Sequence, residues 1–422
     1  MRSAKKLNLT RSLELFEKAK NLVPGGVVGA RHPRNFVRGE YPIFIESGKG
    51  GRITDVDGNE YIDLLCGYGP ISLGYREEEV DQAVMEMMRN KGFCFSLTPP
   101  YQPQLAEKLK ELIPCSELSL FTKTGSGAMT AAVRLARAYT KRTKIMRCGF
   151  HGWHDWCVEV KGGIPEKLYE DVHEFRYNDL DELEALMARY GDETAAITLT
   201  PFGHPLHEKM QEPAPGFLEG VRELATRYGT VLIFDEIRTG FRLRMGGAQE
   251  LYGVIPDLSV FGKGMANGYA IAALTGKAEI MKAAEGEVFI SSTFFGNSDG
   301  YVAALKTIEI MEREDVIGAI WEKGNRFLEK LRAIVSKYED TGVELSGIAP
   351  MYFITFRRDK TGTHKARRDD FYAQLIRRGV FLAPYHHGYI CYRHTDQDLD
   401  IAAKAIDESL AYVAEKHGAL QE

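Results

Sequence analysis

The chain has 422 residues, of which 54 are Lys or Arg and 59 are Asp or Glu, so its formal net charge is −5. This balance excludes the strong basic excess typical of proteins that bind nucleic-acid backbones. No apolar run approaches the ~20 residues that cross a bilayer, and residues 1–20 predict an amphipathic helix rather than a secretion signal. We therefore expect a cytoplasmic globular protein with no nucleic-acid or membrane partner.

The first predicted elements are short strands at residues 43–46, 52–54 and 60–63. The last two flank residues 55–59 (DVDGN), in which an Asp-Gly pair is a strong hairpin signal. From residue 119 onward, apolar strand-like runs alternate with amphipathic helices such as 216–228. Such alternation predicts βαβ units and a mostly parallel, open or doubly wound sheet. The predicted strands of this region are 119–121, 144–147, 195–199, 231–234 and 258–261.

The C-terminal part predicts long helices at 315–338 and 398–416, with short strands at 351–356 and 389–392. The fold class is therefore α/β. We predict a large domain over residues 66–305 and a smaller α+β domain that combines residues 1–65 with 306–422.

Three segments carry chemistry. Residues 122–129 (TKTGSGAM) follow a strand and open a helix, so their backbone N–H groups predict either a phosphate site or an ordinary helix start. Asp235 and Glu236 end an apolar strand, where α/β sheets bind ligands, although the segment taken alone favours a solvated strand end or a Mg²⁺ site. Lys263 lies between glycines after another strand; it is either a loop lysine or a desolvated amine suited to a Schiff base.

The order of these features decides between the alternatives. The small-residue turn, the Phe150-His151-Gly152 triplet, Asp235 and, 28 residues later, Lys263 together resemble the pyridoxal 5′-phosphate (PLP) enzymes of the aspartate aminotransferase fold, fold type I. More narrowly, the chain resembles class III aminotransferases of the glutamate-1-semialdehyde 2,1-aminomutase group. The resemblance covers nearly the whole chain. It is carried by LVPGGV (22–27), GKGGRITDVDGNEYID (48–63), LIFDEIRTGFR (232–242), GGAQELYGVIPDLSVFGKGMANG (246–268) and STFFGNSDG (292–300).

The resemblance implies PLP as cofactor, with Lys263 forming the internal aldimine and moving protons. Asp235 would pair with the pyridine nitrogen, whose protonation makes the cofactor an electron sink. A homodimer is implied, because in this family Thr293 reaches the cofactor of the neighbouring subunit. The other implied cofactor-binding residues are Gly125 and Ser126 at the phosphate, Phe150 and Ile237 on the two ring faces, His151 beside the cofactor, and Arg238 near its phenolic oxygen.

The resemblance also implies substrate-binding residues. Tyr68 falls at an aromatic position of the substrate pocket, and Arg31 falls near an arginine that binds a substrate carboxylate, with Arg34 as a close competitor. His386 is predicted to meet a polar substrate.

Several departures from the aminomutase pattern bear on the reaction. Arg238 stands where many aminotransferases have Gln, and we hypothesise that it holds the phenolic oxygen as phenolate. The segment 157–173 is shorter than the mobile lid of the aminomutases, and residues 383–388 lack their acidic residue. These differences favour an aminotransferase that moves an amino group between an amino acid donor and a keto or aldehyde acceptor.

The alternatives are an aminomutase, racemase or lyase of the same fold, a non-catalytic homologue, or a metal-dependent hydrolase. The H-x-x-H pairs at 151–154 and 204–207 lack the H-E-x-x-H pattern, so we predict no metal site.

Overall fold

The computed structural model describes residues 3–203 and 209–420. The chain forms two compact units. Among the described residues, the large unit comprises residues 78–203 and 211–317, and the small unit comprises residues 3–77, 209–210 and 318–420.

The helices and strands alternate along much of the chain. The helices are α1 (Thr10–Lys20), α2 (Glu78–Lys91), α3 (Tyr101–Leu112), α4 (Gly125–Thr140), α5 (Leu180–Tyr190), α6 (Phe217–Arg227), α7 (Ala248–Tyr252), α8 (Ala278–Met281), α9 (Ser298–Arg313), α10 (Val316–Ser336), α11 (Thr363–Arg377) and α12 (Asp396–His417). The strands are β1 (Ile45–Lys49), β2 (Arg52–Asp55), β3 (Glu60–Asp63), β4 (Leu118–Thr122), β5 (Lys144–Cys148), β6 (Val172–Glu174), β7 (Thr194–Leu199), β8 (Val231–Asp235), β9 (Leu258–Phe261), β10 (Ala272–Gly276), β11 (Val343–Ile348), β12 (Met351–Phe356), β13 (Val380–Phe381) and β14 (Gly388–Tyr389). Among the described residues, no helix combines the length and apolar character that a membrane crossing requires.

The large unit is built on a seven-stranded sheet with the order β4-β10-β9-β8-β7-β5-β6. The run from β9 to β6 is parallel, whereas β10 is antiparallel to both of its neighbours. All five strands predicted in this region lie in the sheet. The predicted α/β class with a mostly parallel sheet is therefore confirmed.

Helices cover both faces of this sheet. Ile233 and Val260 pack in one apolar core with residues of α4, while Leu232 and Phe234 pack in a second core with residues of α5 and α6. Consecutive residues of β8 thus enter different cores, because side chains alternate across a strand. Burial on both faces explains why the strand sequences are continuously apolar.

The small unit contains a four-stranded sheet, β1-β2-β3-β13, and a three-stranded sheet, β11-β12-β14. The predicted hairpin joins β2 and β3, and the Asp55 carboxylate accepts backbone N–H groups of Asp57 and Asn59 within its turn. β13 adds to β3 in parallel, with Val380 opposite Ile62. This pairing brings both ends of the chain into one sheet.

The division between the units differs from the predicted one at residues 66–77, 209–210 and 306–317. Met210 belongs to the small unit, where its backbone N–H donates to the Ser346 hydroxyl. Residues 66–77 belong to the small unit, because Arg393 donates its N–H to Leu73 and pairs its guanidinium with Glu77. Residues 306–317 belong to the large unit, since they continue helix α9 and the turn after it.

Candidate active site

Asp235 and Lys263 follow adjacent parallel strands of the large unit. Asp235 is the last residue of β8, and Lys263 begins a short 3-10 turn just after β9. The two strands pair with Asp235 opposite Val260, so both residues lie at the same carboxyl edge of the sheet. Lys263 has a φ of 45°, in the left-handed region that non-glycine residues seldom occupy. Such backbone conformations cluster at functional sites.

The surroundings of Lys263 favour its neutral amine. Burial is the largest cause, and the nearby positive charges of Arg238 and Arg242 act in the same direction, while Asp235 opposes them. Together they lower the pKa of Lys263 to about 7. The uncharged amine is the species that attacks a carbonyl carbon to form a covalent bond, and a pKa of about 7 makes it available near neutral pH.

Asp235 is oriented by a buried histidine. Its Oδ2 lies 2.9 Å from Nδ1 of His151, and its Oδ1 accepts the backbone N–H of Ile237 at 3.2 Å. The His151 ring stacks on Trp156, with ring planes inclined by 8°. Nε2 of His151 is buried and has no hydrogen-bond partner among the described residues.

The neighbouring carboxylate, Glu236, has different surroundings. It is fully buried and accepts the backbone N–H groups of Ala248 and Gln249, which begin α7. Burial raises the pKa of Glu236 to about 7. Asp235 and Glu236 therefore have separate partners, and Glu236, the residue after β8, supports the start of α7.

The turn at 122–129 leads into α4, and residues 125–127 at the start of that helix are partly exposed. The Thr124 hydroxyl accepts the N–H of Gly127, an N-cap bond. A Cβ on Gly125 would lie 2.2 Å from Cδ1 of Ile237, and a Cβ on Gly152 would lie 2.2 Å from Oγ of Ser126. Close packing thus requires glycine at both positions. The result is a helix N-terminus with small residues, the arrangement that binds phosphate.

The other predicted cofactor residues are distributed as follows. Phe150 is 48% exposed, and Arg238 is buried with Nη1 3.4 Å from the Gly203 carbonyl. Thr293 is exposed and lines an open cavity of about 770 Å³. The lining of that cavity includes none of the residues around Lys263, so the structure does not bring Thr293 together with them.

The predicted substrate residues meet in the small unit. The ring of Tyr68 contacts His386 edge-on at a centroid distance of 5.2 Å, and the Arg31 guanidinium lies 5.8 Å from the Tyr68 ring centre. The Tyr68 hydroxyl donates to the carbonyl of Ala30, and burial raises the pKa of Tyr68 to about 12. Arg34 lies exposed in the next turn. Of the two competing arginines, the structure therefore brings Arg31 to Tyr68.

The first H-x-x-H pair has other partners. His151 bonds Asp235, and Nδ1 of His154 lies 2.7 Å from the Thr130 hydroxyl. The second pair, at 204–207, lies outside the described residues.

Residues 36–410 match the sequence profile of the family "Aminotransferase class-III". The chain belongs to the class III aminotransferases. Aminotransferase activity with PLP as cofactor follows, as the sequence predicted. The residues around Lys263 fit this cofactor. The Asp235 carboxylate and a lysine with a lowered pKa follow adjacent strands, the start of α4 has the small residues that suit a phosphate, and Nε2 of His151 is unpartnered among the described residues.

Individual relatives agree with this assignment. The chain is 60% identical to 3-aminobutyryl-CoA aminotransferase of Cloacimonas acidaminovorans, over 97% of this chain and 99% of the relative. It is 32% identical to glutamate-1-semialdehyde 2,1-aminomutase of Methanosarcina acetivorans, over 96% and 99%. The FumI protein of Sphingopyxis sp. MTA144, solved in its PLP internal aldimine form, has a TM-score of 0.92 at 29% identity and 98% coverage of both chains.

Two contributors to the site were not predicted from sequence. Arg242 is buried and adds positive charge near Lys263, and Trp156 supports the ring of His151. Arg242 is the last residue of the RTGFR run (238–242). The sequence does not show that its charge acts on Lys263, because that depends on how the chain turns after β8.

The pH dependence of cofactor loading tests the electrostatics of Lys263. The rate at which apoprotein binds PLP covalently is expected to rise with pH through about 7, since only the neutral amine reacts. Arg238→Gln removes a charge that lowers the pKa of Lys263, so the midpoint is expected to move to higher pH. Stopped-flow absorbance measures the rate. Arg134→Gln, an exposed change on α4, is the control; a midpoint that stays fixed in the Arg238 variant contradicts the assignment.

Proposed function

We propose that this aminotransferase acts on a 3-aminoacyl-CoA thioester, converting it to the 3-oxoacyl thioester while a keto acid accepts the amino group. The observation that carries the proposal is the 60% identity with 3-aminobutyryl-CoA aminotransferase over almost the full length of both chains. The substrate pocket supports it. Tyr68 and His386 present aromatic surface, and the loop 383–388 lacks an acidic side chain, which suits a neutral acyl thioester.

We assign the chemistry to residues of the large unit. When bound, PLP takes up the electron pair that remains after the substrate loses a proton from the carbon bearing its amino group. Nζ of Lys263 holds the cofactor and moves that proton. The Asp235 carboxylate holds a proton on the pyridine nitrogen, and His151 orients the carboxylate through its 2.9 Å contact.

The remaining roles concern binding. Backbone N–H groups of Gly125 and Ser126 bind the phosphate, Phe150 and Ile237 cover the cofactor ring, and Arg238 holds its phenolic oxygen. Arg31 binds the carboxylate of the keto acid, because a guanidinium offers the paired donors that a carboxylate accepts.

A half-reaction tests the substrate assignment. Mixing the PLP enzyme with 3-aminobutyryl-CoA is expected to convert the cofactor absorbance to that of pyridoxamine 5′-phosphate, whereas free 3-aminobutyrate is expected to react far more slowly. Added keto acid restores the first spectrum. Equal rates with the thioester and the free acid, or no conversion by the thioester, would reject the assignment.

We also propose a homodimer in which Thr293 completes the partner's site. Exposed Phe95 and Leu97 line the same cavity as Thr293, and exposed Phe289 and Phe294 are chain neighbours of its lining residues Ile290 and Thr293. Clusters of exposed apolar side chains mark interfaces. We call these residues the apolar patch: Phe95 (49% exposed), Leu97 (83%), Phe289 (81%) and Phe294 (57%).

Introducing charged side chains into the apolar patch tests whether the patch forms the dimer interface. Leu97→Asp combined with Phe289→Asp is expected to give monomers with at least about a tenfold loss of activity, because buried unpaired carboxylates oppose association. Sedimentation velocity measures the oligomeric state. Ile401→Asp, on an exposed position of α12, is the matched control. A double variant that stays dimeric, or a monomeric wild type, contradicts the proposal.

A further inference from the structure

A basic segment forms part of the wall of a cavity in the small unit. Residues 29–38 (GARHPRNFVR) contain three arginines and one histidine and no acidic residue. The cavity has a volume of about 330 Å³, within the range of about 300–1,000 Å³ typical of small-molecule sites. Arg31 and Phe36 of the segment line it, together with the largely apolar set Ile43, Ile45, Tyr68 and Phe381.

The positive charge of this segment is not neutralised within the described residues. Arg31, Arg34 and Arg38 are exposed, and none of them pairs with a carboxylate in residues 3–203 or 209–420. Other arginines of the same unit do have such partners. Arg377 pairs with Glu40, and Arg393 pairs with Glu77.

The segment is held in place by polar contacts. The Asn35 side chain donates to the carbonyls of Gly29 and Ala30, and the Tyr68 hydroxyl also donates to Ala30. Nδ1 of His32 accepts the backbone N–H of Arg34. The backbone around Arg31 and Arg34 is therefore ordered, which reduces the entropy lost when a ligand binds.

We infer that Arg34 and Arg38 bind the phosphates of the CoA moiety, while the adjoining cavity holds its pantetheine arm. This inference rests on the proposed thioester substrate. Such a substrate has three parts, a small acyl group, an uncharged arm and a polyanionic nucleotide. The small unit offers matching surfaces: the Tyr68–His386 wall and the mostly apolar cavity, which share Tyr68, and the unpaired Arg34 and Arg38. The two arginines lie two residues before and two residues after Phe36, which lines the cavity. Arginine suits phosphate because its planar donors bind two oxygens at once.

The test compares two thioesters of 3-aminobutyrate, one with CoA and one with pantetheine, which lacks the nucleotide. In the Arg34→Gln, Arg38→Gln holoenzyme, KM for the CoA thioester is expected to rise about tenfold, the combined effect of two exposed charge pairs. KM for the pantetheine thioester is not expected to rise, because this substrate lacks the phosphates. Adenosine 3′,5′-bisphosphate is expected to compete with the CoA thioester in wild type and about tenfold more weakly in the variant. Arg332→Gln, exposed on α10, is the matched control.

The outcomes separate the inference from the proposed function. Wild type that turns over the CoA thioester supports the proposed substrate. If the double variant then changes both KM values equally, or changes neither, the assignment of Arg34 and Arg38 to the phosphates is wrong, but the substrate assignment is retained. A changed oligomeric state with an unchanged KM ratio assigns the segment to contacts between copies and also overturns the inference. If wild type loads PLP but turns over neither thioester, the substrate proposal fails, and the inference fails with it.

Discussion

Replacing Lys263 by alanine is expected to lower aminotransferase activity by at least about 10⁴-fold, because no other amine in the described residues follows β9 at the sheet edge. The same change is expected to abolish covalent attachment of the cofactor. Wild type treated with borohydride should gain the mass of reduced PLP, whereas the Lys263→Ala protein should not. Intact-protein mass spectrometry and an overall transamination assay measure the two effects.

Lys282→Ala serves as the control, because Lys282 is exposed on the same unit. It is expected to retain both activity and the borohydride adduct. An active Lys263→Ala protein, or one that still gains the adduct, would show that another lysine carries the cofactor.

Replacing Asp235 by asparagine is expected to lower kcat by about 10³-fold, which corresponds to about 4 kcal/mol for removing one partner of a buried charge pair. The amide cannot hold a proton on the pyridine nitrogen as a carboxylate does. Asp235 is only 5% exposed, so water is a poor substitute. Pre-steady-state kinetics of the half-reaction measures the loss.

The Asp235→Asn protein should differ from the Lys263→Ala protein in one respect. It is expected to keep the borohydride adduct, since Lys263 is unchanged. Asp181→Asn, an exposed change in the first turn of α5, is the matched control. Wild-type kcat in the Asp235 variant would mean that another group controls the pyridine nitrogen.

Much of the large unit was predictable because its signals are local. Strands buried on both faces are continuously apolar, as at 231–234, and glycine turns and amphipathic helices separate them. Asp235 and Lys263 could be assigned to one site because residues that follow parallel strands share a sheet edge. Shorter elements were missed or misplaced. The strand predicted at 389–392 is limited to β14, since Tyr392 and Arg393 donate instead to the carbonyls of Ser72 and Leu73.

The sequence by itself determined the α/β class, the class III family and the cofactor, because these depend on motif order and strand periodicity. Only the tertiary structure decided how the groups act on one another. It paired His151 with Asp235, turned Glu236 toward α7, brought Arg242 near Lys263 and placed Arg31, rather than Arg34, at Tyr68. Each of these depends on contacts between residues far apart in the chain, and electrostatic interactions follow distance and burial rather than sequence spacing.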